Sequence, residues 1–156
     1  MGTTCEAGDP APDFDLEIAN NKRIALKDFR GKKLALYFYP KDDTSGCTAE
    51  ALAFNALKEE FAKAGAAILG VSPDSVKSHA KFKAKHDLAL ELAADEDKAM
   101  LEAYGVWVEK SMYGRKYMGV ERSTFLIGKD GRIVRAWRKV KVPGHAEEVL
   151  AAARTL

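Results

Sequence analysis

The apolar residues of this chain fall into a few spacings, and those spacings predict its elements. Residues 33–39 form a nearly unbroken apolar run, the pattern of a strand covered on both faces. Residues 66–71 repeat it. Residues 15–18 alternate polar and apolar, Asn20-Asn21 reads as a turn and residues 23–26 alternate again, so the N-terminal part predicts a β-hairpin. It follows a segment punctuated by Gly8, Pro10 and Pro12, expected to be extended. Past the long apolar run, Phe54, Leu57 and Phe61 recur at helical spacing up to Gly65, a glycine suited to a helix C-terminus.

Further along, Ser72-Pro73-Asp74-Ser75 predicts a turn and a cap for a helix reaching about His86. Residues 88–92 predict a short strand and residues 95–104 a short helix ending before Gly105. Residues 106–119 mix aromatic residues, charges and glycines without a period, so a long loop or irregular hairpin is expected there. Residues 123–127, the Gly128-Lys129-Asp130-Gly131 turn and residues 132–139 predict a second hairpin. Pro143-Gly144 precedes a terminal helix in which Val149, Leu150 and Ala153 share a face. Strands alternating with helices indicate an α/β fold whose parallel or mixed sheet is joined by crossover helices.

Composition narrows the class. A chain of 156 residues, 47% hydrophobic and 31% charged, suits a single domain over residues 1–156 with a substantial core. Its 25 basic and 23 acidic residues leave a net charge of +2, which gives no footprint for nucleic acid. No apolar run approaches the roughly 18 residues of a membrane span, and no basic-then-apolar leader opens the chain, so a cytoplasmic setting is expected. The two cysteines, Cys5 and Cys47, form no C-x-x-C pair. A thioredoxin-type dithiol and a cysteine-based zinc site are thereby excluded, and Cys47 is left as a candidate lone nucleophile.

The setting of Cys47 supports that candidacy. The run from Tyr37 stops at Pro40, crosses Lys41-Asp42-Asp43 and reaches Thr44, which can cap a helix with Cys47 in its first turn. Unpaired N–H groups and the positive dipole end favour a thiolate there. The plain alternative is a small buried residue that happens to be cysteine. A helix terminus contributes about 0.3 to 1 kcal/mol, less than the ~1.4 kcal/mol that one pKa unit requires. Asp42 and Asp43 would oppose the thiolate if close. A cation from elsewhere is therefore needed, preferably arginine. The chain has eight arginines and spacing alone does not choose among them; Arg122, directly before the predicted strand at 123–127, has the best position if that strand end lies at the same end of the sheet as Cys47.

Pro40, Thr44 and Cys47 form P-x-x-x-T-x-x-C, which resembles the active-site motif of the peroxiredoxins. Asp9-Pro10-Ala11-Pro12-Asp13-Phe14, Gly46-Cys47-Thr48-Ala49-Glu50-Ala51, Tyr113-Gly114-Arg115-Lys116-Tyr117-Met118-Gly119 and Arg122-Ser123-Thr124-Phe125-Leu126-Ile127 resemble its bacterioferritin-comigratory, or Q-type, branch, over about residues 8–145. The resemblance implies a thioredoxin-like fold, with a central mixed sheet flanked by helices and the N-terminal hairpin as an extension. It implies a peroxidase that reduces hydrogen peroxide and organic hydroperoxides without metal, haem or flavin. By position, Cys47 is the peroxidatic cysteine, Arg122 the conserved arginine, Thr44 the hydroxyl that contacts peroxide, Pro40 the shield over the sulfur and Glu50 the residue that orients Arg122.

The chain departs from the branch in three places. Ser45 stands where many relatives carry proline, and Leu52 and Lys83 stand at the two positions where a resolving cysteine occurs. No resolving cysteine is then expected. Cys5, in what reads as a mobile tail, is the other thiol able to take that part. A one-cysteine cycle is expected, resolved by thioredoxin, glutaredoxin or a small thiol, in a monomer or weak homodimer. A redox sensor or thioredoxin-fold interaction module, with Cys47 as its oxidisable switch, is the alternative. His79 and His86 share a helix face seven residues apart and read as a partly exposed pair rather than metal ligands. His145 is expected to help start the terminal helix. Trp107, Tyr113 and Tyr117 can line a peroxide pocket, form a dimer contact or simply pack.

Overall fold

A computed structural model describes residues 5–156. Seven strands form the central sheet, in the order β2-β1-β5-β4-β3-β8-β9. β1 (Asp15–Ile18) and β2 (Lys22–Ala25) are the expected hairpin, and Asn20 and Asn21 both adopt positive φ in its turn, a conformation asparagine tolerates. β3 (Lys33–Phe38) lies at the centre, parallel to β4 (Ala66–Ser72) and antiparallel to β8 (Ser123–Ile127). β5 (Glu91–Ala94) extends the parallel part, and β9 (Ile133–Trp137) closes the far edge against β8.

The apolar run of β3 is buried at every position, which leaves both its faces covered. Leu34, Leu36 and Phe38 point into one layer with Phe14, Phe125 and α4 (Ala99–Ala103). Ala35, Tyr37 and Tyr39 point into the other, against α1 (Ser45–Ala56), α2 (Lys58–Lys63), α3 (Val76–His86) and α5 (His145–Arg154). Burying such side chains contributes about 1.5–3 kcal/mol each, so the period of two along β3 binds both layers to one strand. His145 does begin α5, with its ring bonded to Thr124 of β8 (Nε2 to Oγ1, 2.7 Å).

Four expectations need correction. The single helix expected up to Gly65 breaks at Leu57 into α1 and α2, although Phe54 and Phe61 both stay buried on the same side. The strand expected at 88–92 runs instead from Glu91 to Ala94, because Leu88 and Leu90 bury from the preceding loop while Leu92 and Ala93 pair with β4. Of the long loop or irregular hairpin expected over residues 106–119 the hairpin stands, but it is regular: β6 (Trp107–Met112) and β7 (Arg115–Val120) pair antiparallel with each other and not with the main sheet. Its tip leaves Tyr113 98% exposed, and Tyr117 is exposed as well.

The fourth concerns Cys5, which is not in a mobile tail. Its side chain is 3% exposed, packed in the layer with Phe14 and Phe38, with its thiol toward the Ala103 carbonyl (3.5 Å). Arg138 holds its backbone carbonyl (3.2 Å). Among the described residues, no helix is long and apolar enough to cross a membrane.

Candidate active site

Strand direction brings the predicted residues together. Because β3 and β8 are antiparallel, with Phe38 opposite Ser123, the end of β3 lies beside the start of β8. Arg122 therefore stands next to the exit of the chain through Tyr39 and Pro40. Pro40 is half-buried there, and Asp43 follows in a left-handed conformation (φ 61°), a strained geometry for a residue with a β-carbon. That bend delivers Thr44 to the cap position of α1.

Thr44 has the extended backbone of an N-cap (φ −89°, ψ 158°), and its carbonyl accepts the first helical bond from Thr48 N (2.8 Å). Its hydroxyl does not cap. It donates instead to the Lys41 carbonyl (2.9 Å). Cys47 is the third residue of α1, its side chain 1% exposed, in the turn whose N–H groups have no intrahelical acceptor.

One guanidinium connects the acid and the thiol. Arg122 Nη2 lies 3.4 Å from Cys47 Sγ, and Nη1 lies 2.6 Å from Glu50 Oε1. Glu50 follows Cys47 by three residues, one turn along the same helix, so both face the arginine. Burial pushes the Glu50 carboxyl up to about 7, against the pull of Arg122. Its second oxygen is buried without a hydrogen-bond partner. Burial works to lower the Arg122 pKa, but Glu50 and Cys47 raise it, so the cation is permanent. Gly46 permits this approach, since a β-carbon there would sit 3.2 Å from Arg122 Nη2.

The feared repulsion from the loop acids is answered locally. Asp43 receives Lys85 Nζ (2.7 Å) and His86 Nε2 (2.9 Å), and these bonds, His86 first, hold its carboxyl below the usual range. Asp42 is bound to His79. The two histidines thus face different carboxylates. His79 is not the half-exposed residue expected but fully buried, since it shares the inward face of α3 with Phe82 three residues on. That spacing is the sequence signal for its burial; nothing in the spacing announces Asp42, which comes from 37 residues earlier. Leu52 is exposed on α1, and Lys83 reaches Glu91 on β5 (3.8 Å).

A cysteine at a helix start set against a fixed arginine is an arrangement suited to a thiol-dependent peroxidase, and that is the class that the comparisons with known proteins show. Residues 7–136 match the model of the AhpC/TSA family. The chain is 50% identical over 147 residues to Peroxiredoxin Bcp of Bacillus subtilis, covering 94% of each. Its fold is similar to solved structures of Xanthomonas campestris bacterioferritin comigratory protein, described for alkyl peroxide reduction (TM-score 0.90, 50% identity, 96% of this chain and 98% of that one). It is also similar to the structure of a mutant of Xylella fastidiosa PrxQ (TM-score 0.93, 45% identity, 99% of this chain and 98% of that one). The chain belongs to the AhpC/TSA family, in its bacterioferritin-comigratory, or Q, branch. Peroxides are its substrates and thiols its reductants.

Proposed function

We propose that Cys47 is the peroxidatic cysteine of a one-cysteine cycle, acting on hydrogen peroxide and alkyl hydroperoxides and restored by an external thiol. The contact of Arg122 with both Glu50 and Cys47 carries this reading. The Cys47 thiolate attacks the terminal peroxide oxygen, an S–O bond forms as the O–O bond breaks, the sulfur becomes a sulfenic acid, and the departing alkoxide or hydroxide takes a proton. Arg122 and the N–H groups of the first turn are fixed donors for the charge spread over both oxygens. Because Thr44 gives its proton to Lys41, its lone pairs are free to accept the peroxide O–H. Pro40 screens the sulfur, and Glu50 orients the guanidinium.

The position of Cys5 supports external resolution. The two thiols belong to opposite layers, with β3 between them. A reductant thiol attacks the sulfenic acid, releasing water and forming a mixed disulfide, and a second thiol then frees Cys47. Thioredoxin, glutaredoxin or a small thiol fills that role, for a monomer or weak dimer in the cytoplasm that uses no metal or nucleic acid.

The test is intact mass after one equivalent of peroxide without reductant. A gain of one oxygen is expected. Loss of two hydrogens would establish a Cys5–Cys47 disulfide, and a doubled mass a bridge between chains; either overturns the one-cysteine cycle. Consumption of many equivalents with dithiothreitol or thioredoxin is also expected, whereas stalling after one with every reductant would make Cys47 a sensor.

A further inference from the structure

Behind the loop between Pro40 and Thr44 lies a buried polar cluster that the peroxide chemistry above does not use. The Asp42 carboxylate, 8% exposed as a residue, accepts from Tyr39 OH (2.6 Å) and Ser78 Oγ (2.7 Å) and lies 2.7 Å from His79 Nδ1. The other ring nitrogen, Nε2, lies 3.0 Å from the Ala93 carbonyl on β5. Asp42 N donates to Asp74 Oδ2 (2.8 Å), which also accepts from Ser72 Oγ at the end of β4 (2.8 Å). Asp42 is thus tied directly to Tyr39, to Ser78 and His79 of α3 and to Asp74, and through His79 and Asp74 to β5 and β4; the titratable groups that face His79 are Asp42, Tyr39 and Asp74, the last with a carboxylate oxygen within 4.8 Å of the ring.

The proton count of this cluster follows from its geometry. A carbonyl cannot donate, so Nε2 must carry hydrogen. Two lone pairs cannot sit 2.7 Å apart in a buried site, so a second proton lies between Nδ1 and Oδ2. Wherever that proton is drawn, the pair is neutral overall. Burial works to raise the Asp42 carboxyl, and the bonds from His79, Tyr39 and Ser78 outweigh it and hold it below its usual value. Asp42 stands two residues before Thr44, the cap residue of the helix that carries Cys47, so its charge lies on the loop that leads into the turn of the thiol.

We propose that His79 is a positioning residue for the peroxidase reaction: it neutralises the carboxylate of Asp42 and clamps the active-site loop to α3, so that Thr44 and the first turn of α1 hold Cys47 as a thiolate. Lys85 and His86 of the same helix hold the strained neighbour Asp43, giving α3 two adjacent grips on the loop. Without the ring, a buried carboxylate stands uncompensated on the loop that delivers the thiol, and like charge disfavours thiolate.

The inference rests on Cys47 being the reacting thiol, and the test reads that thiol without peroxide. Alkylation of Cys47 by iodoacetamide, followed by mass across pH, is compared in the wild type, His79→Gln and the double variant Asp42→Asn/His79→Gln. In His79→Gln the profile should move to higher pH and the neutral-pH rate fall about tenfold, one pKa unit's worth, with the wild-type rate regained in alkali. Removing the carboxylate as well should restore the neutral-pH rate to within about threefold of wild type. A merely structural histidine would leave the profile unmoved, or make the double variant no faster than the single; either overturns the proposal.

Should His79→Gln not fold, Tyr39→Phe and Ser78→Ala each remove one donor from Asp42 and must slow alkylation about two- to fivefold; rates unchanged in both overturn it. Wild-type protein that alkylates at Cys47 yet consumes no peroxide would defeat the peroxidase role of Cys47 and leave the clamp standing.

Discussion

Both thiols of this protein are almost completely buried, one on each side of β3, yet their surroundings have nothing else in common. Cys47 lies at a helix start with a guanidinium 3.4 Å away. Cys5 lies among Phe14, Phe38 and their neighbours, with the Ala103 carbonyl as its partner and Arg138 directed to its backbone. Burial pushes the Cys5 thiol up, more than Arg138 lowers it. Burial alone therefore makes a cysteine a small apolar residue, and what sets Cys47 apart is a guanidinium in contact with its sulfur and a place in the first turn of a helix.

Breaking that contrast at Arg122 should have the largest effect. Arg122→Ala is expected to slow single-turnover oxidation of Cys47 by about 10²–10³-fold, the usual loss for one fixed donor to a developing charge, as stopped-flow kinetics will show. A rate within threefold of wild type would mean that the helix start suffices.

Glu50 sharpens the contrast through pH. Its folded pKa of about 7 lies above its ordinary value of 4.5, so the folded state binds the extra proton between those pH values. Its contribution is fully present below about pH 4.5 and is lost as pH rises to about 7. Glu50→Gln should remove that decline, on the order of 1–3 kcal/mol, in denaturant titrations at pH 4.5 and 7.5. Parallel losses in both proteins would assign the decline to other groups.

The smallest effect is expected at Cys5. Cys5→Ala should leave peroxide turnover within about twofold and cost about 1 kcal/mol of stability, as befits a core position. Loss of turnover with an intact first oxidation would make Cys5 a resolving thiol after all.

The elements that read clearly in the sequence are those whose faces meet different surroundings. β1 and β2 alternate because one side is wet, and β3 is uniformly apolar because neither is. The β6–β7 hairpin pairs only with itself and leaves most of both faces in water, so no alternation marks it. The break at Leu57 is silent for the opposite reason, since Phe54 and Phe61 keep the helical period across it. At the site, Pro40, Thr44, Cys47 and Glu50 could be read from one short stretch. Arg122 is named by the family motif, and the antiparallel pairing of β3 and β8 explains why it meets Cys47, whereas the Asp42–His79 contact needed a crossover fold that no local spacing encodes.

The β-carbon absent from Gly46 matters again after the sulfur has been oxidised. A glycine inside a helix gains more conformational entropy on unwinding than alanine would, worth roughly 0.5–1 kcal/mol. With Ser45 before it and Cys47 and Thr48 after it, all middling to poor helix formers, it makes the first turn the least costly part of α1 to unwind. A protein thiol can reach a sulfur that is 1% exposed in a cysteine side chain only when that turn opens. On the proposed cycle, the same missing β-carbon that lets the guanidinium approach would lower the work of presenting an oxidised Cys47 to its reductant.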